Sequence, residues 1–323
     1  MPDPKNSPTP APSGLIAPRL VTVDADSADR RLDNFLMGEL KGLPRTRIYR
    51  MIRTGEVRVN KGRIKPAYRL AEGDVVRIPP VHGLRGGDTH TISQGRADWV
   101  VEHILYEDTC LLVLDKPAGL AVHGGSGISL GAIELLRAAR PDNRYMELVH
   151  RLDRATSGCL LIAKKRSSLR RLHEAFREGQ VRKIYHALLL GKWQGGRREV
   201  SLPLVTEHRQ GGERHVRPGE EGKAAITRFY PEQIFQNATL VRVELLTGRT
   251  HQIRVHSAAI GHPVAGDERY GTGEPGPAGL KRLFLHASQL SFKHPDDGRP
   301  MKFESPLDQT LVKVLEALRG PNV

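Results

Sequence analysis

Apolar positions follow two different periods along this chain. Leu32, Phe35, Leu36 and Leu40 recur at helical spacing and predict one amphipathic helix. After Gly42, Pro44 suits the first turn of a second helix, and Gly55 is its natural stop. Ile48, Met51 and Ile52 share one face of that helix, while Arg47, Arg50 and Arg53 fall on the other. Two short strands are predicted next, Val57 to Val59 before an Asn60-Lys61-Gly62 turn and Val75 to Ile78 after Gly73-Asp74. Residues 81–97 are polar and glycine-rich with no apolar period, which reads as a linker.

Beyond it the pattern changes to many short strands. Trp99 to Leu105 opens a second domain, and Leu111 to Leu114 is a strand broken by Asp115-Lys116-Pro117-Ala118-Gly119. A helix is predicted through Ile133, Leu136 and Arg137 to Arg140, and a strand-like run at Cys159 to Ala163. Ser167 is expected to cap a helix carrying Leu169, Leu172 and Phe176 that ends at Gly179. Residues 183–190 alternate, with Tyr185, Ala187 and Leu189 on one face and Ile184, His186 and Leu188 on the other. Residues 222–229 and 238–246 supply further strands, and 247–256 reads as a strand passing into a helix that Gly261 ends.

Composition narrows the function. The 323 residues suffice for two domains, and 50 basic against 36 acidic residues give a net charge of +14. That balance favours a polyanionic partner, most simply nucleic acid. No run approaches the roughly 18 apolar residues of a spanning helix, so no membrane role is expected. Between Lys41 and Arg69 ten basic residues face one acid, Glu56, too lopsided for an ordinary solvated surface. A guanidinium row at three-residue spacing can track phosphates without reading bases. Cys110 and Cys159 sit inside apolar runs, as core residues of a reducing compartment do, and no cysteine–histidine pattern suggests zinc. The Pro-, Ser- and Ala-rich start lacks the pattern of a signal peptide, so residues 1–23 are expected to form a disordered tail on a cytoplasmic protein.

The chemistry concentrates at His150-Arg151-Leu152-Asp153-Arg154-Ala155-Thr156-Ser157-Gly158. A carboxylate between two arginines, just before a turn and an apolar strand, is a charged nucleophile or half of a structural ion pair. The whole string resembles the catalytic motif of the large-subunit pseudouridine synthases. Lys183-Ile184-Tyr185-His186-Ala187 resembles that family's second motif and Thr247-Gly248-Arg249-Thr250-His251-Gln252-Ile253-Arg254-Val255-His256 its third. The basic module at 24–80 resembles the S4 RNA-binding domain through Arg45-x-Arg47-Ile48, Ile52-x-x-Gly55-x-Val57-x-Val59-Asn60, Lys65-Pro66 and Gly73-Asp74-x-Val76. The loop from His123 to Ser129 and Gly222-Lys223 are most similar to the branch of the family acting on several 23S rRNA uridines. The His123 loop is either a tight turn or a place where RNA backbone approaches closely.

The resemblance implies an α+β catalytic domain over 98–323 on a mixed, largely antiparallel sheet, preceded by the small α/β S4 domain. It implies an isomerase that breaks uridine N1–C1′ and forms C5–C1′, with no cofactor and no metal. Asp153 would be the essential carboxylate, Arg254 its partner and Tyr185 a neighbour of the target base. Arg151 would fill the stack vacated by a flipped base, and Arg249 and His251 would shape the pocket. Arg45, Arg47, Arg50, Arg53, Lys61 and Lys65 would hold RNA on the S4 domain. The implied partner is 23S rRNA or a precursor large ribosomal subunit, met by a monomer. Alternatives are a synthase for another rRNA helix or tRNA, a non-catalytic S4-type ribosome-assembly factor, and an RNA-cleaving hydrolase using Asp153 with His150, His251 or His256.

Overall fold

The computed structural model describes residues 15–24, 27–40, 43–82, 94–124, 130–143, 145–208, 214–273 and 276–320. The chain divides into two compact units at 91/92.

In the first unit, β1 (Leu15–Ile16) and β2 (Arg19–Thr22) precede α1 (Leu32–Glu39) and α2 (Arg45–Thr54), followed by β3 (Arg58–Val59), β4 (Val75–Ile78) and β5 (Val81–His82). Strands order as β2-β4-β3, and β1 pairs with β5. Leu32, Phe35, Leu36, Ile48, Met51 and Ile52 are buried together with Val57, Val59, Val76 and Ile78. Gly55 ends α2 in the left-handed region at φ 76°, a conformation that favours glycine. The disordered tail expected over 1–23 is corrected at 15–22, because backbone groups of Arg19–Thr22 pair with β4 and complete its hydrogen bonding. The linker expected over 81–97 is likewise shortened at both ends: β5 opens it and a helix from Gln94 closes it.

The second unit carries α3 (Gln94–Val101), β6 (Ile104–Glu107), β7 (Leu111–Lys116), α4 (Ala132–Ala139), β8 (Glu147–Leu148) and β9 (Ser157–Ala163). Next come α5 (Arg166–Arg177), β10 (Arg182–Leu190), β11 (Arg198–Ser201), β12 (Leu204–His208), β13 (Arg214–Pro218), β14 (Ile226–Ile234) and β15 (Ala238–Leu245). It ends with α6 (Gln252–Ala259), β16 (Leu285–Lys293), β17 (Pro300–Glu304) and α7 (Gln309–Arg319). One ten-stranded sheet runs β11-β14-β15-β10-β16-β9-β7-β6, with β17 on β16 and β8 on β9. Every pairing in it is antiparallel except β9 with β16. The fold is therefore α+β on a mixed, largely antiparallel sheet.

Both faces of the sheet are covered, which is why β9 is buried along its whole length. Leu112, Leu160, Ala187 and Val241 share a core with Ile133 and Leu136 of α4 and Ile253 of α6. On the other face Leu161 and Leu290 meet Leu172 of α5, while Leu188 and Phe284 meet Leu311 and Val314 of α7. Cys110 and Cys159 are buried free thiols, as expected of core residues. Helix α5 starts one residue before Ser167, with Lys165 at its N-cap, so Ser167 lies in the first turn and does not cap it. Of the His123 loop, only His123 and Gly124 belong to the described residues. Glu134 accepts the N–H of both Gly124 (3.0 Å) and Gly131 (2.9 Å), which ties that loop to the start of α4.

The parallel join is short, with His286 opposite Ser157 and Ala287 opposite Gly158. Gly158 has φ 106°, and a Cβ there would stand 2.3 Å from the Ala287 carbonyl oxygen. Gly158→Ala is therefore expected to lower stability by about 3 kcal/mol, read as a fall in the urea midpoint. An unchanged midpoint would mean that β9 and β16 can separate freely.

Candidate active site

Asp153 lies in the turn that leads into β9, and buried groups fix that turn from below. Thr156 N–H donates to the Asp153 carbonyl at 3.1 Å, and Gly119 N–H donates to the Arg154 carbonyl at 2.8 Å. Arg154 Nε returns a bond to the Gly119 carbonyl at 2.9 Å. Lys116, fully buried, donates through Nζ to the carbonyls of Leu120 (2.8 Å), Pro117 (2.9 Å) and Arg154 (3.3 Å). Burial first, and the Arg282 charge second, push this ammonium down to about 7, against the pull of Asp153 and Asp115. In the sequence Lys116 stands out only as part of a strand-to-turn signal. Its complete burial, the feature that marks it, depends on the three-dimensional fold. His150 accepts the Leu161 N–H at 3.0 Å, and burial with the nearby Lys183 charge pushes its imidazole down to about 4.

The facing wall is the start of α6. Gln252 locks the preceding turn by accepting from Thr247 Oγ1 (2.8 Å) and Arg249 N–H (2.9 Å). Its amide donates to Ile226 O (3.0 Å) and Thr227 Oγ1 (2.9 Å). His251 occupies the N-cap in the left-handed region at φ 53°, an uncommon conformation for a residue with a side chain. From this helix Arg254 reaches both ways. Its Nε and Nη2 donate to Asp267 Oδ2 and Oδ1, each at 2.7 Å, and its Nη1 donates to Asp153 Oδ2 at 3.4 Å. His251 Nε2 stands 3.8 Å from the same Asp153 oxygen. The guanidinium carbon lies 5.1 Å from the Tyr270 ring centroid, within cation–π range.

These charges set one another. Burial alone would raise Asp267, but the Arg254 hydrogen bonds and charge and the Tyr270 and Arg269 N–H groups hold its carboxyl below the usual range. Burial lowers His251 despite the Asp153 charge, with Arg254 and Arg269 adding to the fall. Burial, and then the Asp153 charge, push the Tyr185 phenol up, so it stays protonated at neutral pH.

Asp153 stands where two spaces meet. A small inner pocket is lined by Asp153, Tyr185, Arg249 and the apolar Leu245, Ile253 and Leu285. A wide cleft of about 1210 Å³ opens beside it, lined by Asp153 with the cations Arg151, Arg154, Arg269, Lys281 and Arg282. The sequence-predicted Asp153, Tyr185, Arg254, Arg151, Arg249 and His251 are thus brought together on the walls of these spaces. Arg249 also donates through Nε to Ala224 O at 3.1 Å. In the first unit Arg47, Arg50 and Arg53 are exposed on the polar face of α2, and Lys61 and Lys65 are exposed in the loops that follow. The side chain of Arg45 lies outside the described residues. Asp267 and Tyr270 escaped sequence reasoning, since the stretch after Gly261 offers neither an apolar period nor a motif that had been singled out.

Among the described residues, Asp108, Cys110 and His294 form one group with metal-ligand chemistry. Its donors are already engaged: His294 Nε2 pairs with Asp108 at 3.0 Å, Cys110 Sγ with Asp296 at 2.9 Å, and Arg299 stands 3.8 Å from Asp108. It lines a separate surface hollow with Lys164 and Arg299, and has no part in the Asp153 site.

Comparison with known proteins agrees with this geometry. Residues 110–259 match the model of the RNA pseudouridylate synthase family, and residues 30–76 match that of the S4 domain. The chain belongs to the RNA pseudouridylate synthase family and is an enzyme of that class, with RNA as its partner. It is 53% identical over 306 residues to a Yersinia pestis protein named ribosomal large subunit pseudouridine synthase C, covering 93% of this chain and 96% of that one. The protein of the same name from Escherichia coli K12 is 52% identical over 309 residues, covering 94% and 97%. Among solved structures, human RNA pseudouridylate synthase domain containing 4 superposes with a TM-score of 0.58 at 26% identity, over 70% of this chain and 97% of that one.

Asp267 supports a prediction with a definite sign. Its folded pKa lies below the unfolded value of about 3.9. Its stabilisation is therefore fully present above about pH 4 and is lost as pH falls through the depressed value. Asp267→Asn should cost about 3 kcal/mol at neutral pH, because Arg254 loses its counter-charge. It should also flatten the acid limb of a stability–pH profile measured by urea unfolding. A variant as acid-sensitive as the wild type would refute the pairing.

Proposed function

We propose that this protein isomerises specific uridines of 23S ribosomal RNA, or of a precursor large subunit, to pseudouridine, with Asp153 as the essential carboxylate. The observation that carries this reading is a carboxylate on the wall of a small pocket shared with Tyr185, Arg254 and the apolar Leu245 and Leu285, on a chain more than half identical to named large-subunit synthases over nearly its whole length. The reaction moves C1′ from N1 to C5, while C5 loses a proton and N1 gains one. Atoms and electrons balance without any co-reactant.

Breaking the glycosidic bond leaves an oxocarbenium-like sugar that a carboxylate can trap or stabilise. Asp153 Oδ2 is turned toward Arg254 and His251, whereas Oδ1 accepts no protein hydrogen bond among the described residues. Oδ1 is therefore the oxygen that faces C1′ in this reading. Arg254, held from behind by Asp267, aims the carboxylate. The neutral Tyr185 phenol packs against the base and can pass a proton only by exchanging its own. A uridine inside a helix must be flipped out to reach this pocket, and exposed Arg151 beside Asp153 supplies a planar group for the vacated stack.

The test is tritium release from C5-tritiated 23S rRNA, with Asp153→Asn beside the wild type. Release by the wild type, none above background by the variant, and RNA binding kept by both are expected. Should the wild type fail on free rRNA and on precursor subunits alike, the assembly-factor reading replaces this one. A second prediction concerns the S4 unit. Replacing Arg47, Arg50 and Arg53 together by Gln should reduce the slope of log K against log salt by roughly 2 to 3, with kcat on saturating RNA kept. An unchanged slope would place the phosphate contacts elsewhere.

A further inference from the structure

Tyr270 stands in the segment after α6, outside the three catalytic motifs of the sequence, yet it touches both Arg254 and His251, the two side chains turned toward Asp153 Oδ2. Its ring lies 5.1 Å from the Arg254 guanidinium carbon. Its hydroxyl lies 2.8 Å from His251 Nδ1. The same oxygen accepts the Val216 N–H at 3.2 Å, which fastens it to β13. The Arg269 charge lies close to the same side chain.

This arrangement fixes a proton. The Val216 N–H and a guanidinium can only donate, so neither can take the phenol hydrogen. The partner left for that hydrogen is His251 Nδ1, 2.8 Å away, which makes Nδ1 the acceptor. A neutral imidazole carries one proton and then holds it on Nε2, the nitrogen 3.8 Å from Asp153 Oδ2. The groups facing this imidazole are Asp153 and Asp267, Arg254 and Arg269, and the Tyr270 hydroxyl.

We propose that Tyr270 is a positioning residue for the isomerisation: its hydroxyl holds His251 as the Nε2–H tautomer aimed at Asp153, while its ring braces Arg254. His251 then offers a neutral donor beside the ion pair, and Asp153 keeps one orientation as charge builds on the sugar. The left-handed backbone of His251 belongs to the same device. At φ 53° the N-cap residue turns its side chain between the carboxylate and the phenol, a conformation held by the surrounding contacts against its intrinsic cost.

The role in turnover rests on the reading of Asp153 as the essential carboxylate, whereas the tautomer does not. Nitrogen-15 spectra of the histidine side chains, assigned with His251→Gln, read the tautomer directly. The wild type should show Nε2–H at His251, and Tyr270→Phe should shift it toward a mixture. In turnover, Tyr270→Phe should lose about tenfold in kcat with KM within about twofold. A phenol that donates to Nδ1 favours neutral imidazole, so its removal raises the His251 pKa. The acid limb of kcat/KM should then move up by about half a pH unit. Tyr270→Phe combined with His251→Gln should be no worse than His251→Gln alone, because the hydroxyl acts through that ring. An Nδ1–H tautomer in the wild type, an unchanged acid limb in Tyr270→Phe, or multiplying losses in the double variant would each overturn the proposal. If the wild type modifies no RNA, the functional reading falls and the spectra still decide the tautomer.

Discussion

A guanidinium taken out of water must find counter-charges and acceptors, and Arg254 organises the catalytic unit around that requirement. Asp267 takes two of its N–H groups in a planar, two-point match, and the Tyr270 ring covers a face. What remains is Nη1, which is turned to Asp153. A single lysine ammonium could not divide its bonding this way, since it lacks the rigid fork. The 3.4 Å contact to Asp153 is looser than the two 2.7 Å bonds to Asp267, so Asp267 fixes the guanidinium and Asp153 stays the less constrained carboxylate.

The order of the sheet is what brings both carboxylates of that arginine to one place. Strands that run parallel begin at the same end. The parallel pairing of β9 with β16 therefore brings out two leading segments side by side, one bearing Asp153 and the other bearing Asp267, Tyr270 and Arg282. Arg282 Nη2 donates to Ser157 Oγ at 2.7 Å, a cross-link between the two. Gly158 allows the strands to close to this distance, because the Ala287 carbonyl occupies the space of a side chain. On the other flank β10 shifts register against β16 between Ile184 and His186. Such an irregularity re-aims a side chain, and Tyr185 sits within it.

Elements with one clean period were legible in the sequence. Helices α1 and α2 follow from Leu32, Phe35, Leu36 and from Ile48, Met51, Ile52, and β10 follows from its alternation. Asp153, Tyr185 and Arg254 stood within recognisable strings, and all three line the small pocket. The stretch from Gly261 to Lys293 carries no clean period, for physical reasons, whereas α7 does show one in Leu311, Val314, Leu315 and Leu318 and went unread. Strand β16 buries His286 and Ser288 amid its apolar residues, and both are satisfied by bonds to distant partners, Ser157 with Ser305 and the Ile184 carbonyl respectively. A polar residue that is buried because of a distant partner looks, in one dimension, like a surface residue. The same holds for Lys116, whose three carbonyl acceptors belong to two separate loops. Arg19–Thr22 escaped for the opposite reason: four residues are too few to show a period, and only the free edge of β4 makes them a strand.

The division of the site into two spaces bears on how a target is chosen. The inner pocket is small and is lined by Asp153, Thr156, Tyr185, Arg249, Gln252 and Arg254 beside its apolar Leu245, Ile253 and Leu285, so its polar groups bear on the one base that enters it. The wide cleft offers guanidinium and ammonium groups, whose contacts to phosphate would carry no sequence information. The exposed arginines of α2 have the same limitation. Phosphate contacts of this kind reward the shape of an RNA, namely a base that can leave the stack while flanking phosphates still reach the cleft. The cations spread along the cleft suit this demand, because they reward a backbone path and not a base.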